Sequence, residues 1–184
     1  MNQAIVEATQ QWLTRAVIGL NLCPFAKAVH VKNQIRYVVS EAQGLEAVLT
    51  DLETELKFLA ESDAGEIDTT LLIVPYALEH FSDYNDALHF ADILLKQLRL
   101  QGELQIASFH PDYQFDDTAP GDIENYTNRA PYPIFHLLRE ASIERAVEAF
   151  PDAADIYERN MATLRRLGHA GWLDHMKRDA GGKS

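Results

Sequence analysis

The sequence predicts an α/β protein with a small, mostly parallel sheet of three strands that is flanked by helices. Helical and strand patterns alternate as β-α-β-α-β through the middle of the chain, and such crossovers favour parallel strands. The second strand, Asp68–Val74, ends in apolar residues that do not alternate, which is typical of a central strand covered on both faces. An α+β ferredoxin-like sheet with a missed strand is the alternative.

The composition indicates one folded domain of ordinary size. The chain has 184 residues, 47% of them hydrophobic, and we expect a single domain over residues 1–180 with a flexible tail at 181–184. No apolar run of about 18 residues occurs, and no signal-peptide pattern, so we expect no membrane partner. The one cysteine, Cys23, excludes an internal disulfide and fits a reducing cytoplasm.

The charge is acidic overall and uneven along the chain. A formal net charge of −12 and a pI near 4.9 argue against nucleic acid as a partner. Glu41–Asp68 contains nine acids and one base, whereas Ala8–Ser40 contains no acid and four bases. An acidic solvated helix beside an ordinary basic segment explains this pattern, and a positive field around Cys23 that attracts an anionic ligand is the alternative. The oligomeric state stays open.

The elements before the second strand follow from apolar spacing and from prolines. A helix is predicted over Ile5–Leu20, with a C-terminal cap near Asn21. In Leu22–Val31, Pro24 suits the first position of a short helix, which would make Cys23 the N-cap residue. Further along, a strand is predicted over Ile35–Val39 and a helix over Leu45–Ala60, the latter with Asp51, Glu53 and Glu55 mostly on its outer side.

The elements after the second strand are set by caps and breakers. A helix of about Tyr84–Leu100 follows a cap at Ser82 or Asp83, and a third strand covers Glu103–Phe109. Three further segments are predicted to be helical: Pro133–Ala141, its continuation over Ile143–Phe150, and Asp152–Leu167 after a break at Pro151 and before a stop at Gly168.

The stretch Phe109–Arg139 is the first place to look for a site. It holds four of the seven prolines and six of the seventeen aromatic residues, so we expect a long but ordered loop. It follows the third strand, and ligands of open α/β sheets bind at the C-terminal edge of the strands. We therefore expect a binding or active site there.

Three segments of the sequence resemble the DUF1415 family. They are LNLCPFAKA from Leu20, DTTLLIVP from Asp68, and ASFHPDYQF from Ala107 with the following DIENYTNRAPYPIFHLLREASI. The resemblance covers roughly Gln11–Phe150. It implies a compact single-domain bacterial protein with relatives in plants and without an established activity, and it transfers no catalytic residues.

A thiol site is the leading catalytic hypothesis. Cys23 would be the nucleophile or redox thiol, activated by a helix N-terminus; His110 would be the base, and Asp112 or Glu124 would orient it. The enzyme would then be a thiol-dependent hydrolase or transferase. The alternatives are a buried, inert cysteine and histidines that hydrogen-bond to backbone.

The binding hypothesis concerns a small anionic molecule. Arg129 and Arg139 would hold the anion through their guanidinium groups, and Asn125, Tyr126 and His136 would contact it. The alternative is a structural network in which Arg129 pairs with an acid at Asp122 or Glu124 and pins the loop. A non-catalytic ligand- or partner-binding protein is the corresponding functional alternative.

No metal and no cofactor are expected. The sequence has no HExxH, paired CxxC, EF-hand, GxGxxG, Walker A or GxSxG pattern. The residues His110, Asp112 and Glu124 could serve a metal-dependent hydrolase, with Asp116 and Asp117 as further ligands. The last two are more simply solvated residues of a turn.

Overall fold

The alternating patterns fold into a four-stranded sheet between two layers of helices. The structure is a computed structural model that describes residues 2–149 and 155–177. The strands are β1 (Ile35–Val39), β2 (Thr69–Ile73), β3 (Leu104–Phe109) and β4 (Ile134–Arg139). Their order in the sheet is β1-β2-β4-β3.

The sheet is mixed, and the prediction of three mostly parallel strands is wrong in this respect. β1 and β2 are parallel, whereas β4 is antiparallel to both β2 and β3. The three predicted strands therefore run in one direction, with the unpredicted β4 between two of them. Their order along the chain, β-α-β-α-β-β, also differs from the β-α-β-β-α-β of a ferredoxin-like fold.

The predicted helix Pro133–Ala141 is wrong because its apolar residues serve both faces of a central strand. Ile134 packs on one face of the sheet, and Phe135 and Leu137 pack on the other. A short apolar run of this kind has the same pattern as a buried helix segment. The helix begins only after the strand, as α5 (Glu140–Ala149).

Most of the remaining helices lie close to their predicted positions, but the 3₁₀ helix falls in the predicted loop and the last helix extends beyond its predicted end. The remaining helices are α1 (Asn2–Trp12), which continues as a π-helix (Leu13–Ile18), α2 (Ala26–Val31), α3 (Leu45–Glu61), α4 (Phe81–Gln97), a 3₁₀ helix (Ile123–Thr127) and α6 (Ile156–Lys177). α4 begins before the predicted caps at Ser82 and Asp83, with His80 in the N-cap position. The chain leaves the first helix through Asn21, which has a positive φ of 53°.

Two local predictions in the first half of the chain are corrected. The N-cap residue of α2 is Phe25, so Pro24 and Cys23 precede the helix and Cys23 is not its cap. Glu55 is buried and not on an outer face, because it accepts hydrogen bonds from Nε and Nη2 of Arg36 at 2.8 and 3.1 Å.

The last helix is interrupted where the sequence predicts its end. Gly168 has φ 65° and ψ 173°, but a second helical stretch follows it and runs to Lys177. The predicted Phe150 helix end, Pro151 break, Asp152 cap and 181–184 tail lie outside the described residues.

Both faces of the sheet are covered, as the apolar second strand predicts. One face packs against α3 and α4 through a cluster centred on Leu52, Leu72 and Phe135. The other packs against α1, its π-helical continuation and α6 through Trp12, Ile73 and Leu164, among others. All five residues of β2 are buried.

The topology places one long loop beside the C-terminal edge of the sheet. Because β1, β2 and β3 run in the same direction, their C-terminal ends share one edge. Residues 110–133, here called the β3–β4 loop, leave that edge after Phe109 and return to it at Ile134. Across the described helices, none has both the length and the apolar character that crossing a membrane requires.

Candidate functional site

The β3–β4 loop is ordered by the buried side chain of Asn125. Its Oδ1 accepts hydrogen bonds from the backbone N of Phe115 at 3.0 Å and from Oγ1 of Thr118 at 2.7 Å. Its Nδ2 donates to the carbonyl of Ala119 at 2.8 Å. Since these bonds use both ends of the amide inside the loop, Asn125 shapes the loop and is not exposed to a ligand.

His110 joins the loop to the segment that follows β2. The residue is fully buried, and its Nδ1 accepts a hydrogen bond from the backbone N of Asp112 at 3.0 Å. The other ring nitrogen, Nε2, therefore carries the proton and donates to the carbonyl of Leu78 at 3.0 Å. Burial lowers the pKa of His110. With both nitrogens engaged, the ring has no lone pair left for a proton transfer in this geometry.

Cys23 lies in a setting that disfavours the thiolate. It is half-buried and packs against the cluster under α1 and α6. Burial raises the pKa of its thiol, and hydrogen bonds to the backbone at Phe25 and Ala26 only partly offset this effect. The ring of His110 instead lies against Tyr84, on the α4 side, with the ring centres 5.2 Å apart. The thiol and the imidazole thus pack in different surroundings, and no described hydrogen bond joins them.

The two candidate carboxylates are also separate from any Cys–His pair. Asp112 is exposed and holds His110 through its backbone N–H, not through its side chain. Glu124 forms an ion pair with Arg165 of α6, and this contact lowers the pKa of Glu124. Over the described ranges, no three His, Cys, Asp or Glu side chains come together as a potential metal site.

His136 and Arg139 lie within β4 and have structural partners. His136 Nε2 is 2.8 Å from Oγ1 of Thr69, whose hydroxyl donates to the carbonyl of Leu137, so the imidazole is the donor to Thr69. Arg139 donates to the carbonyls of Leu59 and Ser62 at the end of α3 and so caps that helix. Arg139 ends β4, roughly 17 Å of strand from its first residue, and is therefore not placed to share an anion with Arg129.

Arg129 and Tyr126 border a cleft of about 300 Å³, here called the Arg129 cleft. The cleft lies between the first helix, the β3–β4 loop and the second stretch of α6. Six side chains define it: Trp12, Arg15, Tyr126, Arg129, Trp172 and Met176. Pro111 and Pro131, at the two ends of the loop, complete the wall next to the sheet edge.

The guanidinium of Arg129 is held in place by the loop. It lies over the ring of Tyr126, with Cζ 4.7 Å from the ring centre. Nε donates to the carbonyl of Tyr113 at 3.2 Å and Nη2 to that of Pro120 at 2.6 Å. Arg129 therefore pins the loop, as the structural alternative predicts, but it does so through carbonyl groups and not through Asp122 or Glu124.

The cleft concentrates positive charge. Arg15 is the second cation in its lining, and its Nη1 donates to the carbonyl of Met176. None of the described lining residues is an acid. The ion pairs found among the described residues involve Arg36, Lys57 and Arg165, so the charges of Arg15 and Arg129 are not neutralised by any of these pairs.

Four of the six residues that define the cleft, Trp12, Arg15, Trp172 and Met176, were not candidates from the sequence. Trp12 belongs to an apolar helical stripe that predicts core packing, and its ring does contact Phe109, with ring centres 5.1 Å apart. Trp172, which packs edge-on against Tyr126 at 5.0 Å, lies beyond the predicted end of the last helix. Arg15 had a signal in the sequence, since it lies in the acid-free segment Ala8–Ser40.

A second cavity, of about 370 Å³, lies between β1 and α3. Its polar lining is Ser40, Glu41, Asp51, Thr54 and Glu55. Asp51 accepts a hydrogen bond from Ser40, and Glu55 is paired with Arg36. It is larger than the Arg129 cleft, but its acidic character excludes an anion, and its best-placed carboxylates already have partners.

Comparison with known proteins gives one match. A family model described as "Protein of unknown function (DUF1415)" matches residues 4–174. Neither the curated proteins nor the solved structures include a match to the chain.

Proposed function

Because the chain belongs to the DUF1415 family, whose function is unknown, we propose a function from the cleft itself: the protein binds a small anionic molecule between the first helix, the β3–β4 loop and α6. The proposal is for binding, without catalysis by the protein. It keeps Arg129 and Tyr126 from the residues that the sequence proposes for binding and adds Arg15, Trp12 and Trp172.

The observation that carries the proposal is the charge of the cleft lining. Two guanidinium groups and no described carboxylate line one concave site, in a chain whose formal net charge is −12. Acidic side chains are abundant in this chain, but none of them is in the described lining. The positive charges of the two arginines can therefore interact with an anionic ligand. Since Nε and Nη2 of Arg129 bind loop carbonyls, the guanidinium is already positioned before a ligand arrives.

Two features weigh against extending the proposal to thiol catalysis. The ring nitrogens of His110 both have hydrogen-bond partners within the fold. The pKa of Cys23 is raised, whereas a nucleophilic thiol needs a lowered one. A metal-dependent reaction has no support from ligand geometry in the described part of the chain either.

The cleft contains its own reporter for a test. The chain has two tryptophans, Trp12 and Trp172, and both line the cleft, so intrinsic fluorescence reports on its occupant. We expect saturable fluorescence changes when small carboxylates are titrated into the protein. Arg129→Gln should weaken binding about 10- to 100-fold, which corresponds to the loss of one charge-assisted hydrogen bond.

The matched control is Arg145→Gln, which removes an exposed arginine on α5, outside the cleft lining. It lowers the net charge by the same amount and should leave the affinity unchanged. Arg129→Lys keeps the charge and should bind more tightly than Arg129→Gln. An equal loss of affinity in Arg129→Gln and Arg145→Gln, or the absence of any saturable signal, would refute the proposed function.

A further inference from the structure

The lining of the Arg129 cleft is mostly apolar. Of its eleven residues, three are aromatic, one is Met and four are Ala or Pro, and the remaining three are Gln11 and the two arginines. The lining contains no Ser, Thr, Lys or Gly. Most of the cleft surface is therefore apolar, and a smaller part is cationic. A ligand that matches it has an apolar group and an anionic group.

The cationic part favours a carboxylate over a phosphate. Phosphate sites in proteins draw on backbone N–H groups in glycine-rich turns, on helix N-termini and on hydroxyl or lysine side chains. The cleft lining has no Ser, Thr, Lys or Gly, and its one hydroxyl is that of Tyr126. A guanidinium binds either anion bidentately, but without the further donors of a phosphate site, the two guanidinium groups of Arg15 and Arg129 suit a singly charged carboxylate better.

The apolar part favours a flat ligand body. The rings of Trp172 and Tyr126 pack edge-on, with their centres 5.0 Å apart. The Tyr126 ring also contacts the guanidinium of Arg129, whose Cζ lies 4.7 Å from the ring centre. Aromatic walls of this kind stack with flat apolar groups. A volume of about 300 Å³ is at the lower end for ligand cavities, which are roughly 300–1,000 Å³.

We infer that the ligand is a carboxylate carried on a flat, apolar body of the size of one aromatic ring. This inference rests on the proposed anion binding and specifies the class of its ligand. The carboxylate lies at Arg129 and Arg15, and the ring lies against Tyr126, Trp12 and Trp172.

Four probes of graded chemistry test the inference on the full-length protein by calorimetric titration. 3-Phenylpropanoate has both parts, acetate has the carboxylate alone, 3-phenylpropanamide has the ring without the charge, and inorganic phosphate is an anion of the other class. We expect 3-phenylpropanoate to bind at least about 10-fold more tightly than each of the other three, since a buried ring adds apolar burial and the carboxylate adds a charge-assisted contact.

Tyr126→Leu keeps both tryptophans and removes the ring from the wall. It should weaken 3-phenylpropanoate binding several-fold, and by a larger factor than acetate binding; Tyr126→Phe keeps the ring and should resemble the wild type. Acetate or phosphate binding as tightly as 3-phenylpropanoate would overturn the ligand class and leave anion binding intact. An equally tight amide would overturn both, as would the failure of all four probes to bind.

Discussion

His136 shows how a single partly buried ring links the stability of this protein to pH. Burial within the sheet lowers its pKa from 6.5 to about 4. In the unfolded chain the imidazole titrates near 6.5, so between pH 6.5 and 4 the unfolded state binds more protons than the folded state. Stability therefore rises with pH in this window and is lost as the pH falls.

We predict that the free energy of unfolding decreases by about 3 kcal/mol between pH 7 and pH 4 through His136 alone, since one pKa unit corresponds to 1.36 kcal/mol. Urea unfolding at a series of pH values measures it. His136→Leu should flatten the profile, though not fully, because the lowered pKa of His110 acts in the same direction. The control is His89→Gln at an exposed site; a profile that is the same in His136→Leu and the wild type would contradict the assignment.

Cys23 gives a second prediction at the level of one residue. Because burial raises the pKa of its thiol, the folded protein should react with a disulfide reagent far more slowly at pH 7 than the urea-unfolded chain does. The rate should rise only at a higher pH in the folded protein than in the unfolded chain. Rapid labelling of the folded protein at pH 6–7 would indicate a thiolate and would restore the thiol mechanism that the sequence suggests.

At the scale of elements, α6 contains a kink at Gly168, where the backbone leaves the helical conformation. Gly168 has φ 65° and ψ 173°, a combination that is essentially restricted to glycine. The helical stretch after it carries Trp172 and Met176 to the cleft. It is fastened there by the hydrogen bonds of Arg15 to Met176 and of His175 to the carbonyl of Arg15.

We predict that Gly168→Ala destabilises the fold by about 1–3 kcal/mol and changes the fluorescence of Trp172. The space around an added Cβ is open, so the cost comes from backbone conformation and not from a clash. Gly121→Ala, where the space is also open and φ is not positive, should change stability little. If the two variants are equally stable in thermal unfolding, alanine tolerates the backbone conformation at position 168 and the prediction is wrong.

The sequence predicts three of the four strands of this protein and misses β4. The bounds of β1 agree with those predicted, and α3 differs by one residue, because its leucines keep a helical period. β4 is missed because its two buried faces remove the alternation that marks a strand and, unlike the equally buried β2, its run follows a proline that can also begin a helix. Only part of the cleft lining was predicted. Trp12 belongs to an apolar helical stripe, which predicts core packing, and only the fold shows that it also lines a cleft.

At the scale of the whole molecule, the protein repels an anionic ligand at long range and attracts it at short range, inside the cleft. The formal net charge is −12, which repels a monovalent anion at 30 Å from the centre by roughly 1.7 kcal/mol in water without salt. Within the cleft, Arg15 and Arg129 attract it. Salt with a Debye length of about 10 Å at 0.1 M screens the first effect more than the second, because the cleft charges are partly buried.

We therefore predict that the association rate constant of 3-phenylpropanoate increases when the ionic strength is raised from 10 to 150 mM, while its dissociation rate constant changes little. Stopped-flow tryptophan fluorescence measures both. A charge-reduced variant, Glu46→Gln with Glu61→Gln, changes exposed acids of α3 and should raise the association rate at low salt and weaken its dependence on salt. A rate that falls with salt would mean that the two arginines dominate the field already at long range, and the acidic surface would then have no part in controlling access to the cleft.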